Sequence, residues 1–318
     1  MNIMVSVNCI TYNHEQYVTS AIEGFLMQKT DFDFEILIGE DCSTDSTRAI
    51  VEKYASKYPD KIRMITSERN VGASKNILRL LEESRGRYIA LCEGDDYWTD
   101  PLKLQKQVDY MEKHPECSLC YHSARIVDNK GRELSQFRSY YKNTISLTEH
   151  IIEGGGEFCP TASLLFPRSL LKDIPDFLLK AHVGDYPLQM WLSSIGYAYY
   201  IDEFMSVYRH GVIGSWTMQQ TSEKKVKSKK ADIQLLNQFN EYTDNKYNSQ
   251  IRDTIMKKEF EILLIENRIT EIRKSRYKSF LDQMGNSQKI KLYTRFYFPK
   301  FYSSLVYFKR RISNKAGT

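Results

Sequence analysis

The chain predicts an α/β fold: a doubly wound, mostly parallel sheet with an antiparallel extension, followed by a helical C-terminal region. Three observations carry that prediction. Short β-rich apolar runs alternate with helical patterns through about the first 95 residues. The run Tyr88 to Cys92 carries no charge at all, as a strand covered on both faces of a parallel sheet does. After Ser222 the β character gives way to long, charged helical patterns.

In order, Ile3 to Ile10 is the first strand, closing on Thr11, Tyr12 and Asn13, and a helical pattern covers about 15–28. Phe34 to Ile38 is the second strand and empties into Gly39, Glu40, Asp41, Cys42, Ser43, Thr44 and Asp45. Ser46 to Lys57 reads as the next helix, capped by Ser43 or Thr44 with Asp45 in its first turn. A third strand spans 62–66, Asn70 and Gly72 turn the chain into a helix over about 73–84, and Tyr88 to Cys92 is the fourth strand. Such repetition is how right-handed parallel units look in sequence. Ser118 to Val127 is a further strand, and Asp128 to Gly131 forms a hairpin-like turn that begins the antiparallel extension. Glu153 to Pro160 (EGGGEFCP) suits a ligand-hugging loop, a lid or a plain flexible turn. Thr161 to Phe166 is apolar, and Asp185 stands ahead of a helix whose Leu188, Trp191 and Leu192 share a face. The expected organisation is one domain over 1–220, with halves 1–115 and 116–220, and a helical, basic region over 221–318.

Composition narrows the class. A chain of 318 residues with 42% apolar residues and a net charge of +5 is an ordinary soluble protein by content, and the charge announces no nucleic-acid binder. The six cysteines have no framework spacing, so free thiols in a reducing compartment are expected. Cys117 and Cys120 form a lone CxxC in an apolar stretch and read as buried strand residues rather than zinc ligands. No basic n-region or cleavage site opens the chain, and no apolar run approaches membrane-spanning length. The expected location is cytoplasmic.

Ligands of an open α/β sheet bind beyond the carboxyl ends of its strands. Tyr12, Asp41 and the pair Asp95–Asp96 stand at three such ends and suit a nucleotide: a ring to stack a base, a carboxylate for a base or ribose, an acidic pair for a cation. Glu93, Asp95 and Asp96 crowd one strand end and repel one another, which a hard divalent cation would relieve. The same run reads alternatively as a solvated acidic turn or a helix cap. Singly, Tyr12 also reads as a packed surface ring and Asp41 as an Asx-turn. No GxGxxG follows the first strand and no GxxxxGK[ST] is present, against a dinucleotide fold or a phosphate loop.

The runs VSVNCITYNHEQYV, EILIGEDCSTDST, NVGASKN and GRYIALCEGDDYWTDPLKLQKQ together resemble the nucleotide-sugar half of the family 2 glycosyltransferases, whose fold is known as GT-A. The resemblance implies that Thr11 and Tyr12 flank the base, Asp41 contacts it, and Lys75, where the family often has arginine, lies near the nucleotide. It places Glu93, Asp95 and Asp96 in a DxD-type element meeting ribose and a Mn²⁺ or Mg²⁺ ion, with Asp96 the direct ligand and Asp95 and His210 beside it. Glu93 stands where many members have Asp. Asp185, in a Gly-Asp pair where members often have Glu-Asp, matches the family's catalytic base, and a helix N-terminus would stabilise its carboxylate in any case. Arg209 would pair with phosphate, with Ser215 and Trp216 in the same closing segment.

The implied chemistry is a single inverting displacement, moving sugar from a nucleotide sugar, read as a UDP-sugar, to a hydroxyl of a glycan or lipid-linked glycan. Capsule, lipopolysaccharide or exopolysaccharide assembly is the implied setting. A two-carboxylate glycosidase would not need three nucleotide-suited strand ends. Two other readings stay open: a non-catalytic nucleotide-sugar-binding scaffold, and a basic RNA-binding peripheral protein. From Gln283 to Thr318 there is no acidic residue, and basic residues alternate with aromatics. That tail reads equally as a segment on an anionic membrane, which would make the protein peripheral on the inner face of the cell membrane, or as a helix docked on the protein. RNA is the weaker partner, since no nucleic-acid motif accompanies the charge. Phe260, Leu263 and Leu264 form a stripe that packs on the core or on a second copy, leaving a homo-oligomer open.

Overall fold

The computed structural model describes residues 3–212, 221–302 and 304. The chain divides into two compact units, one of residues 1–219 with 241–244 and one of residues 220–240 with 245–318.

The first unit opens with β1 (Val5–Thr11), α1 (Val18–Leu26), β2 (Phe34–Glu40), α2 (Thr47–Lys57), β3 (Ile62–Thr66), α3 (Ala73–Glu83) and β4 (Tyr88–Leu91). Strands β3, β2, β1 and β4 lie side by side and all parallel. Every residue of β2 and β4 is buried, because helices cover both faces; that is why neither strand alternates in polarity. Val5, Val7, Ile36 and Ile38 face a core shared with Val18, Ile22 and Phe25 of α1 and Val51 of α2. The opposite face receives α3, whose Leu80 is buried.

The rest of the unit contains β5 (Tyr97–Trp98), α4 (Lys103–Lys113), β6 (Cys117–Val127), β7 (Glu133–Phe137), β8 (Thr144–Ser146), α5 (Thr148–Gly154), β9 (Leu165–Pro167), α6 (Asp176–Leu179), α7 (Asp185–Ile195) and β10 (Tyr197–Arg209). Here the sheet becomes mixed. β9 runs antiparallel to both β4 and β6, β10 is parallel to β6, and β5, β7 and β8 add antiparallel edges. The expected antiparallel extension is therefore present, with the β6–β7 hairpin turning at Asp128 to Gly131. One local expectation changes. Ser43 and Thr44 do not cap α2; the helix starts at Thr47, whose amide donates to Asp45 Oδ1 at 2.9 Å. Thr161 to Ser163 is a 3₁₀ turn, and the apolar run becomes a strand only at Leu165.

All six cysteines are free and all but Cys42 are buried, Cys117 and Cys120 on β6 among them. In the second unit, α9 (Asn248–Ile265), following α8 (Ser222–Tyr242), carries the expected stripe. Its Phe260 and Leu263 pack with Ile269 and Ile272 of α10 (Ile269–Ile272), Tyr277 ahead of α11 (Lys278–Gln283), and Leu292 of α12 (Asn286–Tyr297). Among the described residues no helix is long and apolar enough to cross a membrane.

Candidate active site

The register of the parallel strands brings their carboxyl ends to one rim, and side chains then stitch the loops leaving them. Asp41 N donates to Thr11 O at 3.1 Å, joining the ends of β2 and β1. Asn13 N donates to Ser43 Oγ at 3.0 Å, Thr44 N to Asn13 Oδ1 at 2.8 Å, and His14 N to Thr47 Oγ1 at 2.7 Å. This is what Ser43 and Thr44 do instead of capping. Asn13 and Cys42 sit in the left-handed region at φ 56° and 59°, a conformation that only the surrounding stitches hold for a cysteine. Tyr12, just before Asn13, stays 41% exposed.

Asp41, only 2% exposed, accepts from the amides of Val71 and Gly72 at 2.8 Å each and so fixes the loop into α3. The cation beside it is Arg79, 3.9 Å away, while Lys75 is exposed in the first turn of α3. The sequence reading missed Arg79. Its signal was the four-residue spacing from Lys75, which puts both on one helix face.

Three acidic residues follow β4. Gly94 lies so close to β1 that a Cβ there would meet Thr11 Oγ1 at 2.7 Å and His14 Nδ1 at 3.0 Å. Those two atoms are buried and have no hydrogen-bond partner among the described residues. Asp96 is 2% exposed and Asp95 8%. Burial, then Asp95 and Asp185, push the Glu93 carboxyl up to about 8. Burial, then Asp95 and Glu93, raise Asp96 well above the usual carboxylate range despite the Arg209 amide and guanidinium. Negative charge here exceeds what the protein neutralises. Arg209, the last residue of β10, supplies the nearest strong cation: its amide donates to Asp96 Oδ1 at 2.9 Å and its guanidinium to Asp95 O at 2.6 Å. The guanidinium lies over the rings of Tyr97 and Tyr17 at 4.4 and 5.2 Å. His14 Nε2 stands 3.9 Å from Asp95, and burial lowers its basicity against the pull of Asp95 and Asp45.

Asp185 is the first residue of α7, after an N-cap at Gly184 that has no side-chain cap, and its Oδ1 accepts from Tyr186 N at 2.7 Å. Its charge is nonetheless among the influences that raise Glu93, after burial and Asp95. His210 is exposed and its amide is bound to Val127 O. Among the described residues no three His, Cys, Asp or Glu side chains are arranged to hold a metal by themselves. Asp95, Asp96 and His210 are among these residues, His210 following directly on the last residue of β10. Ser215 and Trp216 lie outside the described residues. A cavity of about 590 Å³ opens at the other, amino end of the strands, but two of the cations lining it, Arg85 and Arg87, are already bound to Glu35 and Glu112.

Residues 6–174 match the family described as glycosyl transferase family 2. The Mycobacterium tuberculosis protein Rv1520 is 36% identical over 223 residues, 70% of this chain, and the match spans 63% of that relative's length. Poly(ribitol-phosphate) β-N-acetylglucosaminyltransferase TarS of Staphylococcus aureus is 28% identical over 172 residues, 53% of this chain and 28% of TarS. The structure of TarS 1-349 in complex with UDP-GlcNAc superimposes with a TM-score of 0.58 at 18% identity, covering 92% of this chain and 79% of the other. The mannosyltransferase PcManGT of Pyrobaculum calidifontis, in complex with GDP-Man and Mn²⁺, does so at 0.54 and 13% identity, covering 94% and 88%. The mixed sheet and its rim are thus the fold of these glycosyltransferases.

Proposed function

The chain belongs to glycosyl transferase family 2, and from that premise we propose that it is an inverting, metal-dependent glycosyltransferase that moves a sugar from a UDP-sugar to a glycan hydroxyl. The observation that supports the reading is the acidic strand end, where buried Glu93 and Asp96 are both raised and Asp185, from the other half of the unit, adds to the push on Glu93. Tyr12 offers its exposed face to the base, Asp41 and Arg79 organise the loop that borders it, and Lys75 extends cationic charge along the same helix face. Thr11 Oγ1 and His14 Nδ1, left without partners around Gly94, suit polar atoms of the donor.

Acidic residues buried beyond what Arg209 neutralises fit a divalent cation. Asp96 and Asp95 would hold Mn²⁺ or Mg²⁺, with the diphosphate of the donor completing the ligand set that the protein does not provide alone. Such an ion would supply charge stabilisation of the leaving diphosphate. Arg209 adds a fixed cation to the same group, pinned by its contacts to Asp95 and the two tyrosine rings. Asp185 takes the proton of the acceptor hydroxyl as its oxygen attacks the anomeric carbon, and one displacement inverts that centre. A base in this role is worth ~10²–10⁴ in rate.

The names of TarS and PcManGT support a nucleotide-sugar donor, and that of TarS supports an acceptor belonging to a cell-surface polymer. A lipid-linked acceptor would suit a cytoplasmic enzyme peripheral on the membrane. On α12 and just past it, Ile290, Tyr297, Phe298 and Phe301 are exposed beside the exposed Lys291 and Lys300, the mixture that meets an anionic lipid surface.

The test is a panel of nucleotide sugars scored for Mn²⁺-dependent thermal stabilisation, followed by turnover of the stabilising donor. Asp185→Asn is expected to keep the stabilisation and lose turnover ~10²-fold or more. A donor that is turned over equally well by Asp185→Asn, or stabilisation indifferent to the metal, would overturn the reading.

A further inference from the structure

The cavity at the amino end of the strands is not accounted for by the chemistry at the opposite rim. It holds about 590 Å³, the size of a small-molecule site and more than a lone inorganic anion fills. Four cations line it, Arg85, Arg87, Arg168 and Lys172, against one acidic residue, Glu116. Glu35 and Glu112 answer Arg85 and Arg87, and Glu116 stands 3.8 Å from His114. Arg168 and Lys172 are exposed to solvent and have no carboxylate partner among the described residues. Unneutralised cations gathered in a concavity raise the local concentration of anions.

The arginines stand on a fixed backbone. Gly86 N donates to Ser6 Oγ at 2.8 Å, and a Cβ on Gly86 would come within 2.3 Å of Ser6 N, so the segment from Arg85 to Arg87 lies flush against β1. Arg168 follows β9, which runs antiparallel to β4; its amide donates to Arg87 O at 2.9 Å and its Nε to Gly86 O at 2.6 Å. The guanidinium is thus held in place by Nε, while its outer nitrogens have no acceptor among the described residues. A group positioned in this way loses little further freedom on binding. Lys172 follows in the 3₁₀ turn Arg168–Asp173.

The rest of the lining decides what kind of anion fits. Met111, Pro167 and Leu170 give it an apolar wall. Its one aromatic residue, Tyr88, offers no face for a nucleobase: it is 3% exposed, its hydroxyl donates to Glu112 at 2.6 Å, and the Arg87 guanidinium lies over its ring at 5.6 Å.

We propose that this cavity is a second ligand site, for a phosphate-bearing sugar. The outer nitrogens of Arg168 and the Lys172 ammonium take the phosphate, and the apolar wall takes the C–H face of the ring. The seven residues of β1, ~23 Å of strand, separate it from the carboxyl-end rim, so the site does not rest on the transfer reaction proposed there.

The experiment titrates the full chain with glucose 6-phosphate by calorimetry, with glucose and inorganic phosphate as comparison ligands. Glucose 6-phosphate is expected to bind at least five-fold more tightly than either. Its affinity is expected to fall at least five-fold in Lys172→Glu and in Arg168→Gln, and to stay level in Lys75→Glu at the opposite rim. The melting temperature of unliganded Lys172→Glu should match wild type, because that side chain is exposed and unpartnered. Glucose 6-phosphate that binds no more tightly than inorganic phosphate, or that responds to Lys75→Glu and not to Lys172→Glu, overturns the proposal.

Discussion

The two ends of the same sheet treat a buried carboxylate in opposite ways. At the amino end of β2, Glu35 is 2% exposed and every contact around it is favourable. It accepts from Ser6 Oγ at 2.7 Å, from Arg85 N at 2.8 Å and from the Arg85 guanidinium at 2.5 and 2.9 Å, with Arg63 at 3.3 Å. Burial would raise its carboxyl, but the hydrogen bonds from Arg85 and Ser6 outweigh burial and hold it below the usual range. At the carboxyl end of β4, Glu93 and Asp96 are both raised by burial and then by Asp95 between them. A carboxylate kept for structure brings its own partners, whereas these two leave theirs to be supplied by something that binds.

The sharpest way to break that comparison is to neutralise one residue from the carboxyl end. Asp96→Asn keeps the acceptor for the Arg209 amide and removes one of the repelling charges. Transfer should fall by about 10³-fold, the equivalent of several kcal/mol of lost charge stabilisation. Mn²⁺-dependent stabilisation by nucleotide sugar should vanish with it. The melting temperature of the unliganded protein should stay level or rise, because a buried, repelled charge has gone. A variant that melts well below wild type would mean that Asp96 holds the fold, and the contrast with Glu35 would collapse.

Glu35→Gln is the reciprocal test and should do the reverse, leaving nucleotide-sugar binding intact while lowering stability by about 2–3 kcal/mol. The figure is set below that for a fully buried pair because the side chains of Arg85 and Arg63 are 58% and 31% exposed and partly screened. Its pH dependence has a definite sign. A carboxyl lowered in the folded state contributes stability above the unfolded carboxylate range and loses it as pH falls through the folded value. Urea midpoints of wild type and variant should therefore converge in acid and stay apart at neutral pH.

Sequence legibility follows the same division. Each strand of the first half ends in a local polar cluster after an apolar run, so Tyr12, Asp41 and the 93–96 run could be picked out from neighbours a few positions away. The half beyond β4 is built from long-range pairings: β9 is a short strand between β4 and β6, and β10 slips register against β6 between Ile201 and Phe204 before delivering Arg209 to the rim. No local pattern encodes a slip. The same limit hid His14, an ordinary loop residue whose meaning comes from Asp95, far away in the chain. It also kept Glu93 and Asp185 apart, since they come from different halves of the unit and only the fold brings the charge of one to bear on the other. The glycine triplet reads as a loop in sequence, whereas in the fold Gly154 closes α5 and Gly155–Glu157 form a 3₁₀ turn.

Lys103 sets the smallest and most discriminating test, because it is a buried charge that belongs to neither end. It is fully buried, its Nζ has no hydrogen-bond partner among the described residues, and it sits 3.9 Å from the centre of the Trp98 ring. Burial pushes its ammonium down to about 7, against the opposing influence of Cys92 and Cys120. If an unpaired buried charge by itself marked a binding site, Lys103→Met should impair nucleotide-sugar binding. The expectation is the contrary: binding holds and stability rises by about 1–2 kcal/mol at pH 7, the lost ring contact of about 2 kcal/mol offsetting part of the gain. The sign with pH follows from linkage. Between about pH 7 and the unfolded lysine value the unfolded chain binds the extra proton, so wild-type stability climbs across that window and the advantage of methionine shrinks. Melting curves of the two proteins at pH 7 and pH 9.5 decide it. A constant gap would place the charged form in the fold at both values, with Trp98 as its sufficient partner.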